Sequence, residues 1–77
     1  MSPKYPYNAL IRVERLETRV VRLADEYVRA DTWMDRLIER GVDDLDKAIE
    51  RLARAEDALR EKVIELRAAR KTFKALK

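Results

Sequence analysis

The sequence predicts an all-α fold: a long antiparallel two-helix hairpin, coiled-coil-like, that dimerises into a four-helix bundle. Three observations predict it. Apolar residues recur every seven positions in two stripes. The first runs Val13, Val20, Tyr27, Met34, interleaved with Ala9, Leu16, Leu23, Ala30 and Leu37, and the second runs Leu45, Leu52, Leu59, Leu66, Phe73. The only glycine, Gly41, lies between the stripes, and further apolar residues flank both of them. A heptad repeat sustained this long requires helices that bury a common seam.

Residues 1–8 are expected to form an extended arm, because Pro3 and Pro6 oppose a helix there. Asn8 is the expected N-cap of a first helix over 9–40, its side chain accepting from free backbone N–H groups. Gly41 suits the left-handed position that ends a helix, with Val42 making the apolar contact that follows. The turn is placed at 41–43, with Asp43 as the cap of a second helix over 44–77. Asp44 and Asp46 then fall in its first turn, and Arg70, Lys71, Lys74 and Lys77 in its last turns. Those are the signs the helix dipole favours at each end.

A turn this short makes the helices antiparallel neighbours. Each of roughly 33 residues is about 50 Å long. Residues whose numbers sum to about 82 then share a height along the rod. Leu16 faces Leu66, Met34 faces Ala48, Ala30 faces Leu52, Tyr27 faces Ala55 and Ala9 faces Phe73. Large opposes small at four of these five levels, which supports the pairing.

The seam does not consume the apolar surface. Leu10, Val21, Ala24, Val28 and Ile38 widen the first stripe; Ile49, Ala53, Val63 and Ile64 widen the second. A two-stranded coil needs only two positions in seven, whereas a bundle needs about three. The simplest source of further helices is a second copy of the chain. Val21, Val28, Ile38 and Ile64 are therefore candidate interaction residues. Trp33, just off the seam, joins them because tryptophan is enriched where binding energy concentrates.

The composition excludes most chemistry. There is no His to carry a proton near neutral pH and no Cys nucleophile or thiolate ligand. One glycine cannot build a phosphate-cradling loop. Carboxylate pairs at helical spacing, Asp31/Asp35 and Asp46/Glu50, read as solvated faces. No catalytic residue, cofactor or metal site is expected, and the chain reads as a non-enzyme.

Net charge is only +3 but unevenly distributed. Residues 58–77 carry a local +5, residues 43–57 a local −3 and residues 1–42 a local +1. Arg15, Arg22, Arg29 and Arg36 recur at sevens, flanked by Arg12, Arg19 and Arg40. That stripe suits interhelical charge pairing, a nucleic-acid backbone or an acidic protein groove. At the open end, Arg12, Arg15 and Arg19 are expected to join Arg67, Arg70, Lys71 and Lys74 in one basic patch interleaved with Tyr5, Tyr7 and Phe73. Single-strand binders combine bases and aromatics in this way. Glu56 and Arg70 occupy positions that the heptad prefers apolar, and a Tyr27–Glu56 hydrogen bond is expected.

No apolar run approaches the ~18 residues of a membrane span. The first eight residues lack the core of a secretory signal. A cytoplasmic or, for a virus, virion-internal location is expected, with no membrane contact and no secretion. The functional expectation is a small helical interaction or assembly protein: an adaptor, a regulator or a structural component of a larger particle. Its partner is itself or another helical protein. The alternative is a nucleic-acid-associated protein that uses the basic open end.

Overall fold

The computed structural model describes residues 5–77. It is a helical hairpin: α1 spans Tyr7–Glu39 and α2 spans Asp46–Leu76. The rod measures 67 × 13 × 12 Å.

The chain enters α1 two residues earlier than an Asn8 cap would dictate. Pro6, at φ −76 and ψ 64, is the centre of an inverse γ-turn in which the Tyr7 N–H donates to the Tyr5 carbonyl at 2.8 Å. The proline ring fixes the φ that this turn requires. The Leu10 N–H then donates to the Pro6 carbonyl at 3.1 Å, so Pro6 stands in the cap position. No side chain caps the helix, and Asn8 lies inside its first turn. The turn also folds Tyr5 back onto the rod. Its ring lies 4.7 Å from Tyr7 and meets Phe73 edge-on at 6.2 Å.

The far end of α1 closes as the sequence predicts. Gly41 has φ +73, its N–H donates to the Ile38 carbonyl at 3.0 Å, and the Val42 N–H donates to the Leu37 carbonyl at 3.1 Å. Those two bonds are the paired closure of a helix by a left-handed glycine. The second helix begins later than residue 44. Leu45 holds the cap position and is half-buried, and its carbonyl accepts the first helical bond, from Ile49. The acid that supports this start is Asp44, whose Oδ1 accepts from the Asp46 N–H at 3.1 Å, rather than Asp43. Leu45 belongs to the seam, so the helix starts where that side chain can turn inward.

Among the described residues five are buried: Val13, Ala30, Ala48, Leu66 and Ala69. Val13, Leu66 and Ala69 form one cluster, with Leu16, Val20 and Phe73 packed against it. The cluster joins the residues expected at equal height, Leu16 with Leu66 and Val13 with Ala69. Ala30 and Ala48 are the most enclosed positions, at 0% and 1% exposure. Each faces a large residue in the expected register. One seam position was not anticipated: Lys62 falls in the column of Ala48, Ala55 and Ala69. It is half-buried, its ammonium bonded to both Glu65 carboxylate oxygens at 3.1 and 3.2 Å.

Two outcomes follow from this geometry. A Cβ at Gly41 would meet nothing within 4 Å, so its cost is backbone strain alone. Gly41→Ala should lower the unfolding free energy by about 1 kcal/mol in urea titration, with an unchanged m value; no loss would contradict the left-handed closure. The double variant Leu16→Cys/Leu66→Cys should form a disulfide within one chain. Crosslinks solely between chains would contradict the hairpin.

Candidate interaction surfaces

Antiparallel helices that share a seam place like flanks together, which gives the rod two unlike broad sides. On the first side α1 contributes Leu10, Glu17, Ala24, Asp31 and Ile38 beside the seam, with Val21 and Val28 next outward. Opposite them α2 contributes Ile49, Glu56, Val63 and Arg70, with Ala53, Arg60, Arg67 and Lys74 outward. The Arg70–Glu17 ion pair at 4.0 Å crosses the seam on this side. On the second side Trp33 of α1 meets Arg51 of α2, whose guanidinium carbon lies 5.3 Å from the indole centre.

Of the five candidate interaction residues, the structure gathers three. Val21, Val28 and Ile38 share the first side with Ile49, and all four are well exposed, Val21 at 68%. Ala24 and Val63 lie half-buried among them. Ile64 is 62% exposed but points from the outer surface of α2, away from that row. Trp33 is on the second side, where Arg51 covers one face of its ring and 36% of the residue remains exposed. Ile49 belongs in the set and was legible: it sits beside the seam at the height of Ile38.

The basic open end is divided. Arg12, Arg15 and Arg19 lie on the second side of the rod, whereas Arg67, Arg70 and Lys74 lie on the first. Lys71 projects from the outer surface of α2. Equal height had suggested one patch; the angular positions around each helix separate it into two. The aromatic residues do not interleave with these bases. Tyr5 and Phe73 close the end of the seam, and Lys77 lies over the Phe73 ring at 5.7 Å.

The arginine stripe of α1 does not make the expected interhelical pairs. Arg29 bonds Asp25 on its own helix at 3.1 Å. Among the described residues no carboxylate comes within 4.0 Å of Arg12, Arg15, Arg19, Arg22, Arg36 or Arg40. Three of the six acids of α2 are engaged within α2: Glu50 with Arg54, Glu56 with Arg60 at 2.7 Å and Glu65 with Lys62. These i,i+3 and i,i+4 pairs form because neighbours on one helix are always in reach. Glu56 and Tyr27 therefore make no hydrogen bond, and Glu56 and Arg70 sit at the exposed edge of the seam rather than within it.

No known protein family, curated protein or solved structure matches this chain. Its surface must be interpreted from its own residues. Among the described residues, open grooves run along Asn8, Ile11, Arg12, Arg15 and Leu16 and along Arg15, Thr18, Arg19 and Arg22. Among the described residues no helix is long and apolar enough to cross a membrane.

Because Arg15 and Arg22 have no carboxylate partner among the described residues, their loss should barely affect folding. Arg15→Gln and Arg22→Gln should each change stability by less than about 0.5 kcal/mol in thermal or urea unfolding. Arg51→Ala, by contrast, should shift the Trp33 fluorescence maximum toward that of solvated indole.

Proposed function

We propose that this chain is a small non-enzymatic interaction and assembly module that acts through helix-bundle contacts, as an adaptor, a regulator or a structural part of a larger particle. The observation that carries the reading is the exposed aliphatic row on the first side, Val21, Val28, Ile38 and Ile49. Such a row on a helix with a satisfied seam marks a surface made for another helix. Burying one of these side chains fully gains about 1.5–3 kcal/mol, so four of them can offset much of the entropy lost on association. The occupants that fit are a second copy of the chain and a helical protein of matching face. A cytoplasmic or virion-internal setting suits this use of a cysteine-free, highly charged surface.

A second reading draws on a separate observation, the unpaired arginine row along α1. Guanidinium groups without internal partners are available to phosphates, and a nucleic-acid backbone offers phosphates at regular intervals. On this reading the phosphates would lie along the second side of the rod rather than at its open end. There Lys47, Arg51 and Arg54 of α2 continue the same surface.

Light scattering at micromolar concentration should report about twice the 9.1 kDa chain mass. Val21→Asp/Val28→Asp should return it to the monomer mass. A wild-type monomer at every concentration would transfer the row to a foreign partner. Fluorescence anisotropy with a labelled oligonucleotide at about 150 mM salt separates the second reading. Under the assembly reading no sub-micromolar binding is seen. Tight binding lost in Arg15→Gln/Arg22→Gln would favour nucleic acid instead.

A further inference from the structure

The second side of the rod joins a long cationic row to one aromatic ring. Arg12, Arg15, Arg19, Arg22, Arg36 and Arg40 lie on it with no carboxylate within 4.0 Å among the described residues. From Arg12 to Arg40 the row runs about 42 Å along α1. Its first four members are spaced about 4.5 or 6 Å apart along the axis. Beside them the groove between the helices is floored by small residues of α2, Ala68, Ala69 and Thr72, and Glu65 at its edge is bonded to Lys62. Glu26 and Glu61 interrupt the positive surface near its middle. Beyond them Trp33 stands between Arg29 and Arg36, 36% exposed, with the Arg51 guanidinium carbon 5.3 Å from its ring centre.

Guanidiniums without internal partners complement a polyanion, and the shape of the rod selects among polyanions. Its broad side is two helices wide, roughly 20 Å with side chains, whereas the major groove of a duplex is about 12 Å wide. The rod therefore cannot enter that groove. Laid across a duplex, it meets backbones that wind away from its straight axis and touches phosphates only where they cross it. A single strand is flexible and can follow the row along its length. Its unpaired bases are also free to stack on an aromatic ring, which paired bases are not. A folded acidic partner fits less well. Exposed ion pairs contribute little, whereas a bound phosphate chain releases its condensed counterions.

We infer that the second side is a track for an extended single strand of nucleic acid, with the α1 arginines on its phosphates and Trp33 stacked on one base. The inference rests on the second reading above and adds the state of the strand and the stacking residue. Contact with about six phosphates gives a salt exponent near 4, so affinity falls about a hundredfold between about 50 and 150 mM salt. The contact is therefore weak at the higher salt. It does not compete with assembly, because the aliphatic row occupies the other side of the rod.

Trp33 is the only tryptophan, so its emission reports on the track directly. A labelled oligothymidylate of about 12 nucleotides should bind with micromolar affinity at about 50 mM salt and quench that emission. A duplex of the same length should bind about tenfold more weakly or worse. Trp33→Ala should weaken binding of the single strand about tenfold and leave the salt exponent unchanged, since stacking releases no counterions. Arg15→Gln/Arg22→Gln should lower the exponent by about 1.4. Helicity should be unchanged in both variants. If neither nucleic acid binds at the lower salt, the second reading and this inference fall together. A duplex that binds as tightly as the single strand overturns the inference and leaves the second reading standing. Poly-glutamate that binds and quenches Trp33 as strongly as the oligonucleotide also overturns it, and assigns the side to an acidic protein.

Discussion

Everything in this molecule depends on a seam that is narrow and built from small residues. Among the described residues, Ala30, Ala48 and Ala69 make up three of the five buried positions, and no large side chain is fully enclosed. Alanine at these levels lets the helices approach closely, and the larger residues at the same heights, Leu52, Met34 and Val13, fill the remaining space. The consequence is energetic. Small buried side chains remove little apolar area from water, and a chain below about 80 residues draws only a few kcal/mol from such a core. A hairpin of this kind has its shape defined by the seam but is not made robust by it.

The same constraint explains where the rest of the apolar surface lies. A rod of two helices has no interior beyond the seam, so any aliphatic residue outside two columns in seven must face water or a partner. Val21, Val28, Ile38 and Ile49 face water in the single chain. They occupy one broad side, while the unpaired arginines occupy the other. This separation follows from antiparallel pairing, which brings matching flanks of the two helices together. An apolar side and a cationic side on one thin rod allow two contacts to be made at once without competing for residues.

Much of this was legible in the sequence. The seven-residue repeats carried the two helices and their direction, and Gly41 marked the closure, since a left-handed residue without a side chain is needed there. Equal-height pairing about the turn located Leu16 against Leu66. What escaped was governed by short-range alternatives. A proline γ-turn replaced the Asn8 cap, and Asp44 rather than Asp43 supported α2. Glu56 found Arg60 one turn away before it could reach Tyr27. The basic open end was misjudged for a different reason. Position along the rod follows from residue number alone, but position around it requires the heptad angle as well. Arg15 and Arg67 therefore share a level without sharing a surface. Lys62 shows the same limit from within, as a charge in an alanine column kept viable by its bond to Glu65.

The hairpin is proposed to complete its fold through its exposed aliphatic side. The most direct measurement is the thermal midpoint by far-UV circular dichroism over a hundredfold dilution series. If folding and association are coupled, the midpoint must fall steadily as the protein is diluted. A high midpoint that is independent of concentration, with full helicity retained, would show that the seam alone sustains the rod and would contradict the proposed coupling of folding to association.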